Sequence, residues 1–462
     1  MSMGRRKGER QEGWIATTDL LGSPGNVFYE KLNGLLDEHG FDAFLEDLCR
    51  SYYADNRGRQ SIPPGVYFRM LMIGYFEGLD SQRGIAWRCA DSRSLQKFLG
   101  YSPDEATPDH SSLTRVGQRL PAEVHEQVFP FVLHIAQVKK LLKGKTVAVD
   151  ATLLEANAAM KSIVRRDTGD GWKAYLTKLA KEAGIEDPTD EELRRFDKKR
   201  KGKKVSNKDW ESPSDPDSRI MKMKNGRTHL AHKAEHVVDL DTDILLAATI
   251  QPGDRSDAES GTNSVIAAQA NLIHSGSDAE IKEVVNDKGY HKASSLAQYA
   301  SWGLRTYTPE PDRKGRRKWT DKPDEYQTVV YDNRRRVKGK RGKRLGRLRS
   351  EYVERSFAHM CETGGARRSW LRGLERVSKR YTIHAVARNL GVIMRHVFGI
   401  GTPRSLQGTA ASVSTCMREV WPSWATVRSI WRDLTAWTTN ESAIPQLAPF
   451  GAGSAAGQRR AA

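Results

Sequence analysis

Three acids stand at positions where chemistry is feasible. Asp150 ends the strand-like run TVAVD, Asp287 ends EVVND, and Glu354 lies early in the helical pattern SEYVERSFAHM. Singly, each has an ordinary use. An acid at a strand end starts a turn, Asp-Lys-Gly is a common turn tripeptide, and a helical glutamate is usually solvated. Jointly, two strand-end aspartates in one sheet and a glutamate from a helix packed across it can converge on one point. Three converging carboxylates repel one another and are costly to bury unless divalent cations neutralise them. A pair of magnesium ions about 4 Å apart suits phosphodiester chemistry, one activating the attacking hydroxyl and the other stabilising the leaving oxygen.

Other constellations are weaker. Asp239-x-Asp241-x-Asp243 imitates the start of a calcium loop, but Ile244 and Ile250 stand where that loop needs Gly and Glu, so a hairpin turn is the better reading. His229, His232 and His236 share a helix face only if the segment is helical, and Val237 and Leu240 argue for a strand. No Walker motif and no GxGxxG follows a strand, which leaves ATP hydrolysis and dinucleotide binding without support.

The elements that must position these acids are read from periodicity. TVAVDATLL alternates as a strand, THLAHKAEHVVDLDTDILLAATIQPGD reads as two strands joined at Asp241-Thr242-Asp243, and helices are expected over 258–274 and 293–302. The order strand, insertion, hairpin, helix, strand, helix indicates a mixed α/β domain. Before it, short helical patterns dominate. SIPPGVYFRMLMIGYFEGL reads as a buried helix with Ser61 as cap candidate, and helices at 85–90, 94–99 and after Asp109 carry Arg83, Arg88, Arg93, Arg115 and Arg119. Such an array suits a helix-turn-helix DNA reader, or an all-helical packing domain with solvated arginines. Further helices are expected from about Ser350 and over 376–394, and beyond Ile400 a mostly disordered Gly/Ala/Ser/Thr tail with a tryptophan-bearing patch.

Charge points to the partner. The 462 residues include 75 lysines and arginines against 57 acids, a net charge of +18. That surplus favours a polyanion, because each cation that neutralises a phosphate releases a counterion. Between Asp312 and Arg349 there are 16 basic residues and 5 acids, which reads as a solvated binding segment and not a core. No apolar stretch approaches the roughly 20 residues that span a bilayer, and no signal core follows the basic start. Cys49, Cys89, Cys361 and Cys416 lie far apart, against a zinc ribbon or disulfide scaffold and in favour of a reducing cytoplasm.

The blocks VAVDATLLEANAAMKSIVRRD, HKAEHVVDLDTDILLAATIQPGD, NDKGYH and EYVERSFAHMCETGGARRSWLRGLERVSKRYTIHAVARNLGVIMR closely resemble bacterial insertion-sequence transposases of the DDE type, nearest the groups around insertion sequences 5 and 1182. PPGVYFRMLMIGYFEGLDSQRGIAWRCADSRSLQKFLG resembles their helical N-terminal domain, and the likeness spans roughly residues 62–395. The resemblance implies a helical DNA-binding domain over 1–140. A ribonuclease H-like catalytic domain follows over 141–398, with insertions near 161–217 and 308–349, and a poorly ordered tail over 399–462. It implies a catalytic and metal-binding triad of Asp150, Asp287 and Glu354, with Mg2+ as cofactor and Mn2+ as a substitute. Related groups carry Tyr-x2-Arg-x3-Glu-x6-Lys around the glutamate; this chain has Arg347, Ser350 and Cys361 there. DNA contacts are therefore expected from Arg334, Arg335, Arg336, Arg344, Arg347, Arg355, Arg367 and Arg368, and Glu351 is the runner-up third ligand.

The expected function is cut-and-paste transposition by a bacterial, nucleoid-associated cytoplasmic protein. It would act on double-stranded DNA, at terminal inverted repeats and target, as a homodimer in the synaptic complex, without ATP or membrane. A non-catalytic DNA-binding derivative and a metal-dependent nuclease are the alternatives.

Overall fold

A computed structural model of the chain describes residues 25–54, 61–200, 206–312, 315, 317 and 319–406. The basic start and the tryptophan-bearing patch at 421–437 lie outside the described residues, as does Cys416. Up to Pro403 the described residues form one compact unit.

Seven helices come first: α1 (Val27–Glu38), α2 (Phe41–Cys49), α3 (Pro64–Glu77), α4 (Gln82–Ala90), α5 (Arg93–Phe98), α6 (His110–Arg119) and α7 (Ala122–Val138). α3 is the centre of this group. Val66, Phe68, Met70, Met72, Ile73 and Phe76 are all buried, which leaves it no wet face. Its cap is Pro63 and not Ser61, because Pro64 at the first helical position already fixes the helical φ. α7 is an unexpected helix, with Pro130 inside it.

β1 (Thr146–Glu155) opens the mixed region. Two short strands, β2 (Val164–Arg165) and β3 (Trp210–Glu211), with helices α8 (Trp172–Glu182) and α9 (Asp190–Lys199), form an appendix around Trp172, Tyr175 and Trp210. Next come β4 (Arg219–Lys222), β5 (Thr228–Asp239), β6 (Leu245–Pro252), α10 (Asp257–His274), β7 (Glu283–Asn286), α11 (Ala293–Ser301) and β8 (Arg305–Tyr307). The main sheet has the order β4-β5-β1-β7-β8, with β6 also on β5. β1 pairs antiparallel with β5 and parallel with β7, and β7 pairs parallel with β8. The two expected strands of the 228–252 segment are thus β5 and β6, and the turn between them uses Asp239 to accept the amides of Lys143, Gly144 and Asp241.

Three helices close the chain: α12 (Asp324–Lys338), α13 (Lys340–Ala358) and α14 (Leu374–Phe398). The basic stretch, expected to be a solvated binding segment, is largely helical. Val330 and Asn333 of α12 are buried, and the Asn333 amide accepts from Thr308 N at 2.9 Å and donates to Thr308 O at 2.7 Å. α13 starts ten residues before the expected Ser350, because Gly342, Leu345, Val353 and Ser356 fall at helical spacing on one buried face. α14 is buried from Tyr381 to Met394 and packs on α3, α7 and β6, so it belongs to both the helical and the mixed cores. Asn389 binds it to the sheet, accepting from Leu245 N at 2.9 Å and donating to Leu245 O at 2.8 Å.

Candidate active site

Parallel pairing of β1 and β7 runs through Val147↔Val284 to Val149↔Asn286. The next residue on each strand is Asp150 and Asp287, so the pairing alone brings two acids separated by 137 positions side by side. β7 ends at Asn286, and Asp287 caps the short helical turn Lys288–Tyr290, its carboxylate accepting from Lys288 N at 2.7 Å. Asp150 accepts from Ala151 N at 2.8 Å.

Both carboxylates face Arg349 on α13. Its guanidinium donates to Asp150 Oδ2 at 2.7 Å and stands 3.9 Å from Asp287 Oδ1. The three side chains are 16 % (Arg349), 27 % (Asp150) and 48 % (Asp287) exposed, a site open on one side. Burial pushes the Asp150 carboxyl above its ordinary value and the nearby charge of Asp287 adds to this, while Arg349 opposes it. Arg349 was not among the expected site residues. A signal existed in its place on the Leu345, Arg349, Val353 stripe, since an arginine within an apolar helix face needs an acid opposite it.

α13 is pinned to the sheet beside this site. His236 pairs in register with Asp150, and its ring meets Ser356 Oγ at 2.8 Å and Tyr381 Oη at 2.7 Å while stacking on Phe357 at 4.0 Å. Ser356 Oγ donates to Val353 O, which leaves it to accept from Nδ1–H and leaves Nε2 to accept from Tyr381. The histidines that might have held zinc are therefore separated along a strand. His232 instead meets the buried Asp215 at 3.1 Å.

Glu354 is not brought to the aspartates. It is exposed on α13, five residues from Arg349 and so about 140° around the helix. Glu351, about 200° around by the same count, is exposed and paired with Arg355. Among the described residues no three His, Cys, Asp or Glu side chains are gathered closely enough to hold a metal ion. The two aspartates do fit a hard cation: they offer carboxylate oxygens from adjacent strands, and a cationic group already bridges them.

The expected DNA-binding arginines divide into two groups. Arg334 is clamped by Glu310 at 2.8 and 3.0 Å, Arg336 donates to Thr306 O at 3.0 Å, and Arg335 pairs with Asp332. Arg355 meets Asp243 at 3.4 Å, Arg367 pairs with Glu362, and Arg368 stands 3.7 Å from Glu155 over the Trp370 ring. Arg344 and Arg347 are exposed on α13, with no ion pair among the described residues. Segment 367–369 also joins the far end of β1, Glu155 N donating to Arg367 O and Ser369 N to Glu155 O.

Asp150 lies in the middle of β1 and not at its end, because β1 continues to Glu155 along β5. The site therefore defines a class: a mixed-sheet protein with carboxylates side by side beneath a cationic helix. Residues 19–119 match the family model described as a transposase domain (DUF772), and residues 308–394 match the transposase DDE domain. No curated protein and no solved structure matches the chain. These two matches, in this order, support a DDE-type insertion-sequence transposase. No helix among the described residues is long and apolar enough to cross a membrane.

Proposed function

We propose that the protein moves an insertion sequence by cut-and-paste transposition, with Asp150 and Asp287 as the metal-holding core. The observation that carries this is the register of β1 on β7, which sets the two carboxylates side by side where β7 ends. The strand order β6-β5-β1-β7-β8, three antiparallel strands followed by two parallel ones, supports the ribonuclease H-like reading. Mg2+, or Mn2+ in its place, would supply charge neutralisation for in-line attack on phosphorus. The chain's own part is to hold the carboxylates at fixed spacing, to lend Arg349 as their counter-cation, and to present exposed cations such as Arg344 and Arg347 to the phosphates of the terminal inverted repeats and target. Glu354 is the proposed third ligand. It lies nearer the Arg349 side of α13 than Glu351 does and has no ion pair among the described residues, whereas Glu351 is held by Arg355. Synapsis of two element ends favours a homodimer, and no step calls on ATP.

A second reading has its own support: Arg349 already pairs with Asp150 and lies beside Asp287, which is an arrangement a non-catalytic DNA-binding descendant would keep. Supercoiled DNA carrying the element's ends, incubated with the purified protein with and without Mg2+, separates the cases. Magnesium-dependent integration products are expected. Cuts without joining would make it a nuclease, and mobility shifts alone would make it a DNA-binding protein.

A further inference from the structure

On the face of the sheet covered by α10 lies a carboxylate that the proposed chemistry does not use. Glu235 of β5 is fully buried, and its register partner on β1 is Ala151, the residue after Asp150. A buried carboxylate is costly unless it is saturated with donors, and Glu235 is. Tyr290 Oη donates to its Oε1 at 2.7 Å, Ser260 Oγ donates to the same oxygen at 2.8 Å, and Ser264 Oγ donates to Oε2. Lys233, also buried, places Nζ 3.8 Å away and 2.8 Å from Ser260 Oγ.

Tyr290 is the informative partner, because it ends the short turn that begins at Asp287. Its ring lies directly over Gly261 of α10, where a Cβ would meet ring carbons at 2.6 and 2.7 Å, and Gly289 lies equally close to Asp257. Glycine at 261 lets the turn sit down on α10. Burial and the neighbouring Glu235 charge push the Tyr290 phenol well above its ordinary value, so it remains a donor at any working pH.

We propose, on the reading that Asp150 and Asp287 hold cations, that Glu235 is a positioning residue for that pair. Through its strand pairing it is fixed to the backbone beside Asp150, and through Tyr290 it fixes the turn that carries Asp287. One buried carboxylate thus sets the spacing of the two metal ligands from the opposite face of the sheet, without touching metal or DNA. Partners one shell behind metal ligands are typically worth 10- to 100-fold in affinity.

A matched pair of hydroxyl deletions tests this. Tyr290→Phe removes the bond to Glu235. Tyr307→Phe removes a bond of the same kind, to Glu283 Oε1 at 3.0 Å, at the end of β7 remote from Asp287. Mn2+ affinity of the full DNA-free chain is read by electron paramagnetic resonance, with thermal unfolding alongside and Asp150→Asn as reference. Both tyrosine variants should lose similar stability. Only Tyr290→Phe should weaken Mn2+ binding, by tenfold or more, and lower kcat for end cleavage at unchanged KM for the duplex. Should Tyr290→Phe not fold, Glu235→Gln makes the same comparison. Mn2+ affinity as high in Tyr290→Phe, or in Glu235→Gln, as in Tyr307→Phe overturns the inference while leaving the aspartate site standing. Undiminished Mn2+ binding by Asp150→Asn would instead overturn the reading on which it rests.

Discussion

Arg349 holds Asp150 at 2.7 Å from a helix that starts 185 residues after β1 ends, and reaches toward Asp287 with its other terminal nitrogen. Two acids of like charge on adjacent strands are thereby kept together by a removable internal cation. Replacing Arg349 by Ala should leave them uncompensated, at a cost of roughly 1 to 2 kcal/mol for a partly exposed group. Metal ions would then bind without competition. The expected outcome is a lower Tm without metal and a larger upward shift on adding Mg2+ than in the unaltered protein; equal shifts would show that Arg349 does not compete for the site.

Asp150→Asn and Asp287→Asn should each abolish cleavage of end-containing DNA while leaving duplex binding within a few-fold, since a ligand is lost and the basic surface is not. Cleavage at the ordinary rate by either variant removes that residue from the site.

The third carboxylate is decided by a comparison on α13. Glu354→Gln should abolish cleavage in Mg2+, whereas Glu351→Gln breaks only an exposed pair with Arg355 and should cost less than tenfold. The reverse ranking on the same duplex would transfer the role to Glu351.

Substituting the exposed Arg344 and Arg347 with Gln should reduce the salt slope of duplex binding by about 0.9 for each lost phosphate contact. Arg336→Gln should instead lower Tm and leave the slope near its original value, because Arg336 is committed to Thr306. Anisotropy titrations at several salt concentrations check both, and a slope that moves only with Arg336 contradicts the division.

Acid should unfold the protein through its buried histidines. His236 and His384 are held well below their ordinary value by burial, and His125, between Pro121 O and Tyr67, is pushed down to about 4. Their folded values are depressed, so unfolded imidazoles take up protons that folded ones refuse, and stability present above about pH 6.5 is lost as pH falls. The slope is about 1.4 kcal/mol per pH unit for each histidine, roughly 4 for the three. Urea midpoints at pH 7.5, 6.5 and 5.5 should fall across the lower interval; a flat profile there would mean that these rings are protonated in the fold.

Asp150, Asp287 and Glu354 stand out in the chain before any folding is considered, because strand and helix periods mark their positions and carboxylates at strand ends are chemically conspicuous. The hairpin at Asp241-Thr242-Asp243 and the strands on either side of it are legible for the same reason, being local patterns of alternation. Arg349, Glu235 and Tyr290 are not. Arg349 lies in a run of ten basic residues between Arg334 and Arg349, where its place between Leu345 and Val353 calls for an acid without saying which, and only the docking of α13 on β1, anchored by His236 to Ser356, sets it against the aspartates. Glu235 reads as one more charge in a mixed strand until α10 covers it, Ser260 and Ser264 of that helix and Tyr290 of the turn after β7 supplying three hydroxyl donors. Periodicity records which face of an element is apolar, within a window of a few residues. Which distant side chain completes a buried charge depends on how elements pack across more than a hundred residues, and that is settled only when the sheet closes.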